Sequence, residues 1–95
     1  MYTKMDYTIL KAITTKNDRN KGLSLGNGTT YNEIIRKTGA SASKVRKTIS
    51  NFIEDGFIQR GLNDGRLKTF ILTRKGIEEL QKIKKNIALE GDINE

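Results

Sequence analysis

Between residues 41 and 51 the chain carries Ser41, Ser43, Lys44, Arg46, Lys47, Ser50 and Asn51. Hydroxyl, amide and cationic groups at this density suit phosphate oxygens and the acceptor-rich edge of guanine. At helical spacing Ser43, Lys44, Lys47, Ser50, Asn51 and Glu54 share one arc, with Arg46 and Thr48 on its flanks. Glu54, near the end, is the one acid on that arc. A merely solvated face more often mixes the signs, as Glu78, Glu79, Lys82 and Lys85 do further along. A second set of cations, Arg60, Arg66 and Lys68, gathers around Asp64-Gly65. An arginine on a tight turn can enter a minor groove, where the potential is most negative. The plainer reading of that set is an exposed hairpin kept soluble by charge.

Other chemistries are poorly supplied. The 95 residues include no cysteine and no histidine. That removes disulfides, thiolate metal sites, and the commonest general base and transition-metal ligand. The remaining carboxylates and hydroxyls show no catalytic spacing. The expectation is therefore a non-enzyme with no metal and no cofactor. The net charge is +7, unevenly spread. Residues 1–40 hold seven Lys/Arg against three Asp/Glu, residues 41–76 eight against three, and residues 77–95 three against five. Positive charge is densest in the middle, which favours an acidic partner, nucleic acid or anionic membrane. No apolar run approaches the ~20 residues that span a bilayer, and Met1–Asp6 lacks the apolar core of a signal peptide. The expected location is cytoplasmic.

The elements that must position these groups are readable from period and punctuation. Met5, Ile9, Ala12 and Ile13, with Leu10 beside them, predict a first helix over residues 5–16, with Asp6 as a cap or first-turn acid. A polar, glycine-punctuated stretch follows, with one candidate strand at Leu23–Leu25. Thr30-Tyr31-Asn32-Glu33 is a capping box, and it starts a helix that should end near Thr38, with Gly39 turning the chain. Ser41 caps the next helix, to about Asp55, whose apolar arc is Ala42, Val45, Ile49, Phe52 and Ile53. Gly56 ends it. Residues 57–60 and 67–72 predict two strands joined through the Asp-Gly turn. Thr73 caps a last helix over residues 74–89, carrying Ile77, Leu80, Ile83, Ile87 and Leu89, and an acidic tail, Glu90–Glu95, follows. The fold class is mainly α with a small β-hairpin, a single domain over residues 1–95. Residues 30–55 form a helix-turn-helix and residues 57–72 the hairpin.

Three pieces in matching order carry a resemblance. Thr38-Gly39-Ala40-Ser41-Ala42-Ser43-Lys44-Val45 resembles the turn and recognition-helix start of winged helix-turn-helix proteins of the multiple-antibiotic-resistance (MarR-like) type. Phe52-Ile53-Glu54-Asp55-Gly56-Phe57-Ile58 is similar to the end of that helix. Phe70-Ile71-Leu72-Thr73-Arg74-Lys75-Gly76 is similar to the step from wing strand to next helix. The resemblance covers about half the chain and implies double-stranded DNA as partner. Ser41, Ser43, Lys44, Arg46, Lys47, Ser50 and Asn51 would meet the major groove. Arg66 and Lys68 would stand at the wing tip with Arg60 beside them, and Thr30 and Tyr31 near phosphates. In length the 95 residues depart from the large regulators of this type, so the extra helices with which those build a dimer interface and ligand pocket are not expected here.

The apolar residues of the last helix exceed what one small domain needs, so that helix, with the first, is the expected homodimer surface. A transcriptional repressor is the first functional expectation. In size and order of elements the chain also resembles the TubR-type adaptors of plasmid or phage partition, which bind repeated DNA sites and recruit a filament-forming, tubulin-like GTPase. A winged helix that binds protein rather than DNA is the third.

Overall fold

The computed structural model describes residues 2–16 and 18–83. Its elements in chain order are α1 (Lys4–Lys11), β1 (Thr29–Thr30), α2 (Tyr31–Thr38), α3 (Ala42–Glu54), β2 (Ile58–Arg60) and β3 (Thr69–Leu72). A further helix, α4, is described over residues 74–83. The part of the expected last helix beyond residue 83, with Ile87, Leu89 and the acidic tail, lies outside the described residues.

Each helix start is chemically marked. Thr3 and Thr30 each accept from the third backbone N–H of α1 and α2, and each receives a carboxylate on its own N–H in return. Ser41 caps α3 by accepting from the Lys44 N–H at 3.1 Å. Thr73 accepts from the Gly76 N–H at 3.0 Å and donates to the Gly56 carbonyl at 2.6 Å, which ties the start of α4 to the end of α3. These side chains satisfy amide groups that a helix leaves without internal partners. Between α2 and α3, Gly39 adopts φ 71°, a left-handed conformation that costs glycine little. That residue makes the tight turn between the two helices.

The three strands pair antiparallel in the order β1-β3-β2. Thr29 faces Phe70, and Ile58 faces Leu72. Between β2 and β3 the chain reverses at Asp64–Leu67, where the two residues exchange backbone hydrogen bonds of 2.9 Å each way, with Gly65 at φ 61°. The expected hairpin is thus present, its strands shortened to 58–60 and 69–72.

The core joins all these layers. Ile9, Leu10 and Ile13 meet Ile34, then Val45, Ile49 and Phe52, then Ile58, Phe70 and Leu72. Burying such side chains stabilises by about 1.5–3 kcal/mol each relative to exposure, an upper estimate.

Three expectations are corrected. The first helix ends at Lys11, not 16, because Thr14 folds back in a tighter turn onto the Lys11 carbonyl and the Lys37 ammonium takes the Ala12 and Thr14 carbonyls. The first strand is Thr29–Thr30, not Leu23–Leu25. The intervening loop closes on itself, Gly22 N–H to Asn27 O at 2.7 Å and Asn27 N–H to Ser24 O at 3.0 Å, so both leucines sit on turns and stay exposed. The buried arc of α3 is also rotated from the expected one. Thr48 is buried, whereas Ala42 and Ile53 are exposed. The N-terminus of α1 packs against the Thr48 side of α3, through Asp6.

Candidate nucleic-acid interface

The turn at Gly39 and the Ser41 cap present α3 with its outer side clear. Ser43, Lys47, Ser50 and Glu54 occupy the crest opposite the buried Val45, Thr48, Ile49 and Phe52, and all four are exposed. Arg46 and Asn51 stand on opposite shoulders, also exposed. The Arg46 guanidinium lies 5.7 Å from the centre of the Tyr31 ring, and that ring lies 4.6 Å from Phe70. A cation over an aromatic face is attracted yet keeps its charge and most of its donors. Tyr31 therefore props Arg46 from below and rests on the sheet.

The wing adds a second group. Arg60 lies 5.9 Å from the Phe70 ring and donates to Asn63 Oδ1 at 2.7 Å. Arg66 and Lys68 are exposed at and just after the turn. Among the described residues, no ion pair involves Arg46, Lys47, Arg60, Arg66 or Lys68. These cations keep their charge available to an anionic partner.

The structure gives other expected site residues different surroundings. Thr30 is buried and its hydroxyl serves the Glu33 N–H, so it does not offer that group to a phosphate. The Ser41 hydroxyl is engaged in its cap. Tyr31 is half-buried between Arg46 and Phe70. Lys44 sits on the α1 shoulder of α3 with its Nζ 2.7 Å from Asp6 Oδ1.

Asp6 has tertiary partners that its sequence position does not announce. It is buried, accepts from the Thr3 N–H at 2.8 Å and the Thr48 hydroxyl at 3.2 Å, and pairs with Lys44. Burial pushes its carboxyl up, but Lys44 and the Thr3 amide and hydroxyl outweigh that and hold it down at about 2. The spacing Thr3-x-x-Asp6 was a visible signal for the cap, though not for the partners across α3.

Two other lysines are also engaged by the chain itself. Lys21 pairs with Glu33 at 3.0 Å and donates to the Gly28 carbonyl at 3.1 Å. Lys37 donates to Ala12 O, Thr14 O and Thr15 Oγ1 and so closes the end of α1. Burial, then the nearby Lys21 and Arg36 charges, lower its pKa despite the opposing pull of Glu33. The basic count of the sequence thus overstates the charge offered outward.

No cluster of potential metal ligands occurs among the described residues. None of their helices is long and apolar enough to cross a membrane.

Comparison with known proteins bears on the sequence and the fold. No protein-family model matches the chain. The DNA-binding protein TubR of a Clostridium botulinum C phage is 37% identical over 54 residues, 57% of this chain and 67% of that protein. The crystal structure of AF1382 from Archaeoglobus fulgidus superposes with a TM-score of 0.74 at 27% identity, over 95% of this chain and 91% of that one. MepR, a transcription regulator of the Staphylococcus aureus multidrug efflux pump MepA, superposes with a TM-score of 0.78 at 18% identity, over 96% of this chain. The chain spans 62% of MepR, so that likeness is one of fold. The chain has the winged helix-turn-helix fold and belongs to the family of the DNA-binding protein TubR.

Proposed function

We propose that this chain is a sequence-specific double-stranded DNA-binding protein that acts as a homodimer. The observation that carries the reading is the exposed crest of α3, with Ser43, Lys47 and Ser50 outward and Arg46 propped on Tyr31 beside it. A helix of this kind reads base edges in the major groove, while Arg66 and Lys68 on the wing lie along the adjoining backbone or minor groove. Arg60 and Asn51 are supporting contacts. The role of Ser41 and Thr30 is to set helix starts, through their caps.

For the dimer, the supporting feature is an apolar groove of about 920 Å³ between α1 and α4, lined by Tyr7, Leu23, Leu72, Ile77, Leu80 and Ile83 among others. A second copy related by a two-fold axis would cover it and set a half-site spacing. Kinship with TubR, with the size and element order noted above, favours a DNA-partition adaptor that recruits a filament-forming GTPase. Repression of transcription is the second reading, supported by the fold shared with MepR. No cofactor enters either reading, and its place is the cytoplasm.

The test is co-precipitation of the protein with its bound genomic DNA, followed by sequencing. A compact array of closely spaced repeats supports the adaptor. Scattered single palindromes at promoters support the repressor. Absence of any enriched sequence overturns DNA recognition by this chain.

A further inference from the structure

We propose that Asp6 is a positioning residue for the recognition helix α3, and that Lys44 is the other half of its clamp rather than a DNA contact. The inference rests on the reading that α3 enters the major groove.

The Asp6 carboxylate holds Lys44 Nζ at 2.7 Å and the Thr48 hydroxyl at 3.2 Å, both on Oδ1. Positions 44 and 48 are one helical turn apart on the same side of α3. One carboxylate therefore grips a full turn, in the half of the helix that carries Ser43, Arg46 and Lys47. Its own position is fixed, because Oδ2 takes the Thr3 N–H at 2.8 Å in the α1 capping box.

Apolar packing of Val45, Ile49 and Phe52 is strong but non-directional. Hydrogen bonds and an ion pair of this geometry are directional. A roll of α3 by about 10° moves a side-chain atom about 5–6 Å from the axis by about 1 Å. Recognition geometry tolerates about 0.5 Å. The clamp supplies the rotational restraint that the core does not. It also compensates the Lys44 charge, so that Lys44 adds nothing to the pull on phosphates. Arg46, on the opposite shoulder, is held by an uncharged ring and keeps its charge.

The experiment uses the full chain and two duplexes, one the sequence recovered by co-precipitation and one a scrambled version. Binding is measured by fluorescence anisotropy over a salt series, at a temperature where circular dichroism shows each variant fully folded. Asp6→Asn is expected to lower the preference for the recovered sequence about tenfold while binding the scrambled duplex at least as tightly as the wild type does, because Lys44 loses its counter-charge. Lys44→Met is expected to leave the slope of log affinity against log salt unchanged. Thr3→Ala, which weakens the cap of α1 but leaves the Asp6 grip on α3, is expected to keep the preference, which separates positioning from loss of stability.

Full retention of preference in Asp6→Asn overturns the proposal. So does a slope flattened by about one unit per protomer in Lys44→Met, the mark of a lost phosphate contact. Equal wild-type affinity for both duplexes overturns the DNA reading itself, and this role with it.

Discussion

Two helices of this protein begin in the same way and end up doing different work. Thr3 and Asp6 open α1 with a reciprocal capping box, and Thr30 and Glu33 open α2 with another. In each, the carboxylate takes the cap residue's N–H, at 2.8 Å for Asp6 and 3.2 Å for Glu33. Each carboxylate also takes a distant lysine, Lys44 at 2.7 Å and Lys21 at 3.0 Å. The difference lies in where the lysines come from. Lys44 belongs to α3, so the first box joins helix to helix. Lys21 belongs to the loop before β1, so the second joins loop to helix. The side chains differ in exposure as well, 11% for Asp6 against 28% for Glu33. One local motif thus serves two tertiary purposes, and burial sets how much each matters.

The largest effect should follow removal of the buried carboxylate. Asp6→Ala leaves the Thr48 hydroxyl, 2% exposed, with its acceptor gone and Lys44 with its counter-charge gone. The expected loss is about 2–3 kcal/mol in urea unfolding. Glu33→Ala should lose about 1 kcal/mol, because the Glu33 carboxylate is the more exposed of the two and water screens more of its pull. Equal losses would break the contrast between the two boxes.

Acidification sharpens the same contrast. A carboxyl held at about 2 in the fold, against roughly 3.9 unfolded, contributes stability that is complete above pH ~5 and lost as pH falls through about 2. Asp6→Asn lacks that titration. The stability gap between wild type and Asp6→Asn, about 2 kcal/mol at pH 5, should therefore shrink through pH 3 and 2 and close near pH 1. Burial pushes the Glu33 carboxyl up, but Lys21 and Thr30 lower it overall. The Glu33→Gln gap should close in the same direction with a smaller amplitude. A gap that is constant with pH would show that Asp6 does not hold its charge through the clamp.

The caps themselves should be nearly equal. Thr3→Ala and Thr30→Ala each remove one hydroxyl that accepts a backbone N–H, at 3.2 and 3.3 Å. About 1 kcal/mol is expected from each in the same urea experiment. A clear excess for Thr30, whose neighbour Thr29 pairs with Phe70, would mean that β1 loosens along with the cap.

What could be read in advance follows the range of each interaction. The Thr30 box, the Gly39 turn, the Ser41 cap and the Asp64-Gly65 reversal are local, and the sequence specifies them within four residues. The crest of α3 was legible too, since Ser43, Lys47 and Ser50 follow from helical period alone. The sequence did not reveal that Lys44, Lys21 and Lys37 face partners 38, 12 and 25 residues away. A lysine's type says that it carries charge, and only tertiary packing says whether another group already meets that charge. The same holds for Thr48, where a hydroxyl on a flank became a buried donor once α1 supplied an acceptor. Leu23–Leu25 misled for a related reason. Alternation favours a strand, but the ring of hydrogen bonds from Gly22 to Asn27 closes a turn there first.

The smallest expected effect tests the weaker half of the comparison. Lys21→Met removes the Glu33 ion pair and the bond to the Gly28 carbonyl. The loop, however, is pinned independently, by Leu72 N–H on Gly22 O and by Leu62 N–H on Leu25 O, each at 2.8 Å. The Thr30 cap also stays whole, since Glu33 still reaches the Thr30 N–H. The expected loss is about 0.5 kcal/mol, with faster amide exchange confined to residues 22–29 and no change in α3. A loss as large as that of Asp6→Ala would mean that the loop is as tightly coupled to the core as α3 is. Faster exchange in α3 would mean that the two boxes communicate through α2.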